Sequence, residues 1–126
     1  MVIQESAENY LETILILKDR LGIVRSVDIV NELGFTRASV SVAMKKLREC
    51  GYVSVDSDGF ITLTKAGLEV AHKMYERHGI LEDFLVSIGV DGKTAADDAC
   101  RIEHVISGSS FEKIKEFMKA RQGHHK

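Results

Sequence analysis

Apolar residues recur at every third or fourth position along the first part of the chain, which is the spacing of amphipathic helices. The first predicted helix covers residues 7–21, and its apolar stripe consists of Tyr10, Leu11, Ile14, Leu15, Leu17 and Leu21. A second, shorter stripe follows Ser26, which can cap a helix, and consists of Val27, Val30 and Leu33. Gly34 suits the left-handed conformation that ends such a helix.

A third helix is predicted over residues 37–49, because Thr36 can cap its start and its apolar residues again share one face. That face consists of Val40, Ala43, Met44 and Leu47. A turn of three to four residues containing Gly34 joins the second helix to the third. This spacing is that of a helix-turn-helix, although many unrelated helix pairs share it.

A β-rich pattern replaces the helical one between residues 52 and 63. Tyr52–Val55 and Phe60–Leu63 flank the turn dipeptide Asp58-Gly59, which predicts a hairpin. A helix-turn-helix followed at once by a hairpin is a winged helix, and the combination is far more specific than either part. The sequence therefore predicts a mainly α chain that begins with a winged-helix domain over residues 1–72.

Residues 73–126 are predicted to form a second, helical domain. A long helix runs from Thr64, which can cap it, to about Ile88, and its apolar stripe contains His78. Thr94 with Asp97 resembles a capping box that opens a fifth helix through Ser107.

A sixth helix is predicted to begin at a similar capping box, formed by Ser109 with Glu112. Its apolar face consists of Phe111, Ile114, Phe117 and Met118. Because so short a domain has little room for its own core, we expect a homodimer that buries this face through the fifth and sixth helices.

The composition is that of a globular protein, with 44% hydrophobic residues, 29% charged residues and a formal net charge of −2. Two cysteines are too few for a secreted disulfide scaffold. The first residues carry no basic signal-peptide region, and charged residues interrupt their apolar run. We therefore expect a cytoplasmic protein with no membrane segment.

Positive charge is concentrated on the third predicted helix, where four basic residues occur between residues 37 and 48 without an acidic one. In a helix-turn-helix, the start of this helix reaches base edges while lysines meet phosphates. The residues expected to contact double-stranded DNA are Thr36, Arg37, Ser39, Ser41, Val42, Lys45 and Lys46. A solvated basic face would carry the same charges, but the adjacent wing favours DNA binding.

The fifth predicted helix carries Cys100, Glu103 and His104 at spacing i, i+3 and i+4, which places all three on one face. A thiolate, a carboxylate and an imidazole together suit divalent first-row ions such as iron or zinc. Further candidate donors on other helices are His78, Glu82, Glu12 and Asn9. A half-buried helix face, a core histidine and a surface carboxylate at Glu82 would give the same pattern.

Several motifs of hydrolytic and redox catalysis are missing from the sequence, among them H-E-x-x-H, G-x-S-x-G and a phosphate-binding glycine loop. We therefore do not expect an enzyme. Two alternatives stay open at this point: a small metal-binding enzyme or carrier that uses the same donors, and a winged-helix regulator whose ligand is organic.

Three segments together resemble the diphtheria toxin repressor family of iron- and manganese-dependent transcriptional repressors. They are residues 59–67, 77–85 and 99–107, and the C-x-x-E-H-x-x-S pattern of the third is the most specific. The resemblance covers about residues 6 to 120 and implies a metal-activated homodimer that binds a palindromic operator. It implies Fe2+ or Mn2+ as the cofactor, while Zn2+, Co2+ or Ni2+ can bind in vitro. The length is similar to that of the short manganese branch, without the SH3-like domain of longer members.

The resemblance also implies ligand roles for individual residues. Cys100, Glu103, His104 and His78 match metal ligands, and Glu12 matches a helix-one carboxylate of the manganese branch.

Three positions depart from one branch or the other. Asn9 stands where the manganese branch has Asp and the iron branch Met, and Cys100 follows the iron branch. Ala96 replaces a histidine that forms an ancillary site with the positions of His78 and Glu82, which counts against that site here. The mixed pattern favours Fe2+, with Mn2+ close behind.

Overall fold

The computed structural model describes residues 5–123, so Met1–Gln4 and the polar tail His124–Lys126 lie outside the described residues. The described part contains six helices and two strands. In chain order these are α1 (Glu5–Leu21), α2 (Ser26–Leu33), α3 (Arg37–Glu49), β1 (Val53–Val55), β2 (Ile61–Leu63), α4 (Lys65–Ser87), α5 (Gly92–Val105) and α6 (Gly108–Gly123). The predicted mainly α architecture with a small wing is confirmed.

The chain divides into two compact units after Lys73, within α4. We call the described residues 5–73 the N-terminal unit and the described residues 74–123 the C-terminal unit. No described helix is both long enough and apolar enough to cross a lipid bilayer.

The N-terminal unit is built around one aliphatic core to which all of its helices and both strands contribute. The buried members are Tyr10, Leu11, Ile14, Leu15, Leu17, Val24, Ile29, Val40, Met44, Leu47, Val53, Ile61 and Ala71. The predicted stripes of α1 and α3 therefore face inward. Leu21 and Val27, which were predicted to belong to stripes, are instead exposed.

The wing is an antiparallel pair in which Val53 lies opposite Leu63. Its turn is longer than the predicted Asp58-Gly59 dipeptide, because the Asp56 carboxylate accepts hydrogen bonds from the backbone of Asp58 and Phe60, at 2.9 and 3.0 Å. The Ile61 N–H donates to the Val24 carbonyl at 2.7 Å. This bond ties the wing to the segment in front of α2.

Two of the predicted helix caps in the N-terminal unit are present, and one is wrong. The Thr36 hydroxyl accepts from the Ser39 N–H at 3.1 Å, and the Thr64 hydroxyl accepts from the Gly67 N–H at 3.2 Å. Ser26 is not the cap of α2; Arg25 precedes the helix, and its N–H donates to the Asp28 carboxylate at 2.9 Å. The charged Asp28 side chain takes this role because it lies within the first turn of the helix.

The starts of α5 and α6 differ from both predicted capping boxes. The Asp91 carboxylate accepts from the Thr94 N–H at 3.2 Å, so Thr94 lies inside α5 rather than at its cap. The Ser107 hydroxyl likewise accepts from the Ser110 N–H at 3.1 Å in front of α6. In both places the helix begins earlier than predicted, because Asp91 and Ser107 carry side-chain oxygens that accept from the first turn.

The C-terminal unit has a small core of its own. Leu81, Ala99 and Phe111 form this core, surrounded by Ile80, Ile102, Ile106 and Ile114. Of the apolar face predicted for α6, Phe111 and Met118 are already buried within the chain, whereas Phe117 is 52% exposed. Only part of that face is left to be covered by a second copy.

Candidate metal centre and nucleic-acid interface

The outer face of α3 presents the side chains predicted to meet DNA. Because Val40, Met44 and Leu47 are buried, the opposite side of the helix is turned to solvent. The exposed predicted residues are Thr36, Arg37, Ser39, Ser41, Val42, Lys45 and Lys46. The structure therefore exposes every member of this set, at the cap of α3 and around the part of the helix that is not buried.

Two of these residues also have a local structural role. Besides accepting from the Ser39 N–H, the Thr36 hydroxyl donates to the Ser39 hydroxyl at 2.9 Å. Both side chains therefore stabilise the first turn of α3, where base-edge contacts of a helix-turn-helix originate.

A shallow groove of about 290 Å³ lies beside α3 and is lined by Ser26, Val27, Val30, Arg37 and Ser41. Sequence reasoning missed Ser26 and Val27 as part of this surface. It had assigned Ser26 to a cap and Val27 to the core. The signal that could have found them is their position in the first turn of α2, a place where side chains and backbone N–H groups meet phosphates.

Glu103 is the most unusual polar residue of the C-terminal unit, because it carries a carboxylate and is 0% exposed. Its Oε2 lies 3.0 Å from Nδ1 of His78, and its Oε1 lies 3.2 Å from Nε2 of His104. A buried carboxylate is costly unless positive charge or hydrogen-bond donors surround it. Here the imidazole of His78 from α4 and that of His104 from α5 lie next to its two oxygens.

His78 lies between two carboxylates. Its Nδ1 faces Glu103, and its Nε2 lies 3.0 Å from Oε1 of Glu82, one helical turn further along α4. A carboxylate at one imidazole nitrogen fixes the orientation of the ring and raises the basicity of the other nitrogen. His78, Glu82, Glu103 and His104 thus form one connected network, which we call the C-terminal donor network.

Three candidate donors remain, which are Cys100, Glu12 and Asn9. Cys100 is exposed on α5, one turn before Glu103. Glu12 is buried and Asn9 is half-buried, both on α1 of the N-terminal unit. Their ligand roles stay predictions.

The C-terminal donor network fits a divalent first-row ion in both chemistry and spacing. Imidazole nitrogen and carboxylate oxygen are donors that Fe2+, Mn2+ and Zn2+ accept in proteins. Two neighbouring donors of one octahedral ion, each about 2.1 Å from it, lie about 3 Å apart. The 3.0 and 3.2 Å separations around Glu103 have this size.

Arg77 is a residue of this region that sequence reasoning passed over. It is 8% exposed, and its Nη1 donates to the backbone carbonyl of Glu103 at 3.1 Å. The signal was available, since Arg77 lies between Met74 and Leu81 at the i+3, i+4 spacing of a buried stripe. An arginine at such a position has to find partners inside the fold.

Comparison with known families gives a match over almost the whole chain. Residues 3–59 match the family described as iron dependent repressor, N-terminal DNA binding domain. Residues 64–124 match the family described as iron dependent repressor, metal binding and dimerisation domain.

Individual relatives of the chain are also transcriptional regulators. An uncharacterized HTH-type transcriptional regulator of Methanocaldococcus jannaschii is 36% identical over 116 residues, which are 90% of this chain and 93% of that protein. The HTH-type transcriptional regulator MntR of Lysinibacillus sphaericus is 33% identical over 113 residues, which are 90% of this chain and 81% of that protein.

Solved structures share the fold. A manganese-dependent transcriptional repressor in complex with manganese matches 90% of this chain and 52% of its own, with a TM-score of 0.83 and 29% identity. The manganese regulator SloR matches 94% of this chain and 55% of its own, with a TM-score of 0.80 and 26% identity. The chain therefore spans about half the length of these two solved proteins.

Proposed function

The chain belongs to the iron-dependent repressor family, and we propose that it represses metal-homeostasis genes when Fe2+ or Mn2+ binds at the C-terminal donor network. It is a metal-dependent DNA-binding regulator and not an enzyme. The observation that carries the proposal is the fully buried Glu103 carboxylate, which lies 3.0 and 3.2 Å from the imidazoles of His78 and His104.

The proposed division of labour follows from these contacts. Glu103 and His104 are ligands from α5, and His78 is a ligand from α4. Glu82 acts as the outer partner that orients His78, because its Oε1 lies against the nitrogen that faces away from Glu103. When bound, a divalent cation supplies positive charge that offsets the buried carboxylate.

Glu12 and Asn9 are proposed to add ligands from α1. The support within the N-terminal unit is that Glu12 is only 6% exposed, because burial limits the access of water that would compete with the carboxylate for an ion. Because these residues belong to the unit that carries α3, Glu12→Gln tests whether metal acts on that unit. We expect this variant to lose metal-dependent DNA affinity, and an unchanged metal response would exclude Glu12 from the site.

Cys100 bears on the choice of ion. A thiolate ligand favours Fe2+ over the harder Mn2+, so we propose Fe2+ as the leading physiological ion with Mn2+ close behind. Cys100→Glu should shift the relative activation of DNA binding toward Mn2+. If the two ions activate the variant in the parent ratio, the sulfur is not a ligand.

The DNA target is proposed to be a palindromic operator that a homodimer reads. The support is the exposed α3 face in each copy, since two such helices related by a two-fold axis meet successive major grooves about 34 Å apart. Thr36, Arg37, Ser39, Ser41 and Val42 would lie near base edges. Lys45 and Lys46 would lie at phosphates. The corresponding proposed location of the protein is the cytoplasm.

The dimer contact is proposed to use the apolar side chains that α5 and α6 leave exposed. Val105 is 69% exposed and Phe117 is 52% exposed. Phe117→Lys should convert the species seen by sedimentation at tens of micromolar from dimer to monomer. A parent-like dimer in this variant would place the contact elsewhere.

The test of the proposed function is a binding titration monitored by fluorescence anisotropy. The probe is a duplex selected from a random pool by the Mn2+-loaded protein, and binding is measured with Mn2+, with Fe2+ under anaerobic conditions, and with chelator. We expect tight binding with either ion and at least a fivefold loss with chelator. Equal affinity in all three would contradict metal activation and favour a regulator with an organic ligand; no duplex binding at all would favour a metal carrier.

A further inference from the structure

Arg77 lies next to His78 on α4 and is buried almost completely, at 8% exposure. Burying a guanidinium is costly unless its N–H groups find acceptors. Its Nη1 donates to two backbone carbonyls, that of Glu103 at 3.1 Å and that of Ile106 at 3.3 Å. A single side chain of α4 therefore bonds the backbone of the central residue of the donor network.

The position of these two carbonyls explains why an arginine suits them. Helix α5 ends at Val105, with Ile106 at its C-cap, so both carbonyls belong to the end of the helix, where partners within the helix run out. The carbonyl end of a helix also attracts cations. Arg77 thus caps α5 from a neighbouring helix.

Phe111 holds the guanidinium in this position from α6. The carbon at the centre of the guanidinium lies 5.2 Å from the centre of the Phe111 ring, within range of a cation–π interaction. The ring is itself 3% exposed and belongs to the core of the C-terminal unit. The arginine is therefore fixed between the end of α5 and the first turns of α6.

Adjacent residues of α4 consequently hold Glu103 at two points. Arg77 bonds its backbone carbonyl, and His78 lies 3.0 Å from its carboxylate. We propose that Arg77 is a positioning residue of the metal site, which fixes the backbone of Glu103 so that its carboxylate already faces His78 before an ion binds. This inference rests on the proposed function, since it assumes that Glu103 and His78 are ligands.

The alternative is that Arg77 only stabilises the fold. Arg77→Met separates the two roles, because it retains an apolar stem against Phe111 and removes the N–H donors. Arg77→Lys retains the charge but lacks the planar guanidinium, which lies on the Phe111 ring while its Nη1 donates to both carbonyls. The matched control is Lys115→Met, which removes the ion pair between Lys115 and Glu76 at 3.0 Å and so breaks a different contact to α4.

The experiment uses Co2+ as a spectroscopic probe of the full-length protein, together with Mn2+ titrations. We expect Arg77→Met to lower the affinity for both ions about tenfold and to change the visible Co2+ spectrum. Outer partners of ligands typically contribute 10- to 100-fold to metal affinity. Arg77→Lys should show a smaller loss in the same direction. Lys115→Met should keep the parent spectrum and affinity, whatever its thermal stability.

Parent-like spectrum and affinity in Arg77→Met would overturn the inference, even if the variant is less stable. If Arg77→Met does not fold, the same result in Arg77→Lys would overturn it. Glu103→Gln in the same assay separates this outcome from failure of the proposed site. If Glu103→Gln loses the Co2+ spectrum and Arg77→Met keeps it, only the positioning role is wrong; if Glu103→Gln also keeps it, the proposed metal site is wrong.

Discussion

The two units of the chain place their functional side chains in opposite environments. In the N-terminal unit, an aliphatic core is sealed inside and the residues for DNA lie outside, as with Val40 at 0% and Val42 at 55% exposure. In the C-terminal unit, the core is small and the most deeply buried polar residue, Glu103, is the proposed centre of the site.

The difference follows from what each site has to do. Base edges and phosphates can only be reached by side chains that project into solvent. Metal donors instead bind an ion more tightly when they are buried. Burial lowers the local dielectric, which strengthens their attraction to the ion, and it excludes competing water. One unit is therefore stabilised by apolar contacts beneath its site, and the other has polar contacts within its interior.

The largest effect is expected from a substitution in the core of the N-terminal unit. Ile29→Ala removes a side chain that is 0% exposed and should cost about 2–5 kcal/mol of unfolding free energy, with loss of DNA binding. The matched variant Val42→Ala, on the exposed face of the same unit, should stay within about 0.5 kcal/mol of the parent. Denaturant titrations followed by circular dichroism measure both, and equal losses would contradict the contrast between core and face.

In the C-terminal unit, Glu103→Gln should separate metal binding from stability. The amide retains the shape but removes the charge, so Mn2+ affinity should fall by about 100-fold or more, beyond the range typical of outer partners. The metal-free protein should change little in stability, because the amide can still donate to and accept from the neighbouring imidazoles. Calorimetric titration and thermal unfolding measure the two effects. The control is Glu116→Gln, whose carboxylate is 66% exposed on α6.

The basic face of α3 should reveal itself in the salt dependence of DNA binding. If Lys45 contacts one phosphate, Lys45→Gln should weaken binding to any duplex and reduce the slope of log affinity against log salt by about 0.9. Lys119→Gln, an exposed substitution on α6, should leave the slope unchanged. A parent slope in the Lys45 variant would remove that residue from the interface.

The smallest effect concerns the cap of α5. Hydrogen bonds from Thr94 hold the pKa of Asp91 below its ordinary value of 3.8. A carboxyl whose pKa is depressed in the folded state stabilises that state above its ordinary pKa, and the stabilisation is lost as pH falls through the folded-state pKa.

Asp91→Asn keeps a good capping side chain without the charge, so its melting temperature should lie slightly below that of the parent at pH 7. The gap should close as the pH falls below about 3.8. Thermal unfolding between pH 3 and 7 measures the gap. A gap that does not depend on pH would show that the charge of Asp91 has no role in the cap.

Local patterns predict most of the fold because they act within a few residues. The inward faces of α1 and α3, the Thr36 cap and the hairpin all follow from spacing and turn chemistry. The caps at Asp91 and Ser107 were missed because more than one residue near each helix start carries a suitable oxygen. Which one is used depends on how the preceding loop is packed.

The candidate donors could be predicted from the sequence, but the burial of each one could not. The spacing of Cys100, Glu103 and His104 does not say which of them is buried, since that depends on what packs against α5. Glu103 is buried against His78 and accepts a hydrogen bond from Arg77 at its backbone carbonyl, while Cys100 is exposed. Arginines are seldom buried, so the helical spacing that places Arg77 in a buried stripe was passed over.

The most direct test of metal-activated DNA binding is a measurement of reciprocity. If metal binding raises DNA affinity, the same duplex must raise metal affinity by the same factor, which for couplings of about 1–3 kcal/mol is roughly 5- to 150-fold. Mn2+ affinity is therefore measured by calorimetry with and without a saturating operator duplex, and compared with the ratio of DNA affinities with and without Mn2+. We predict that the two ratios agree and exceed about five. A Mn2+ affinity that is the same with and without DNA would contradict the account.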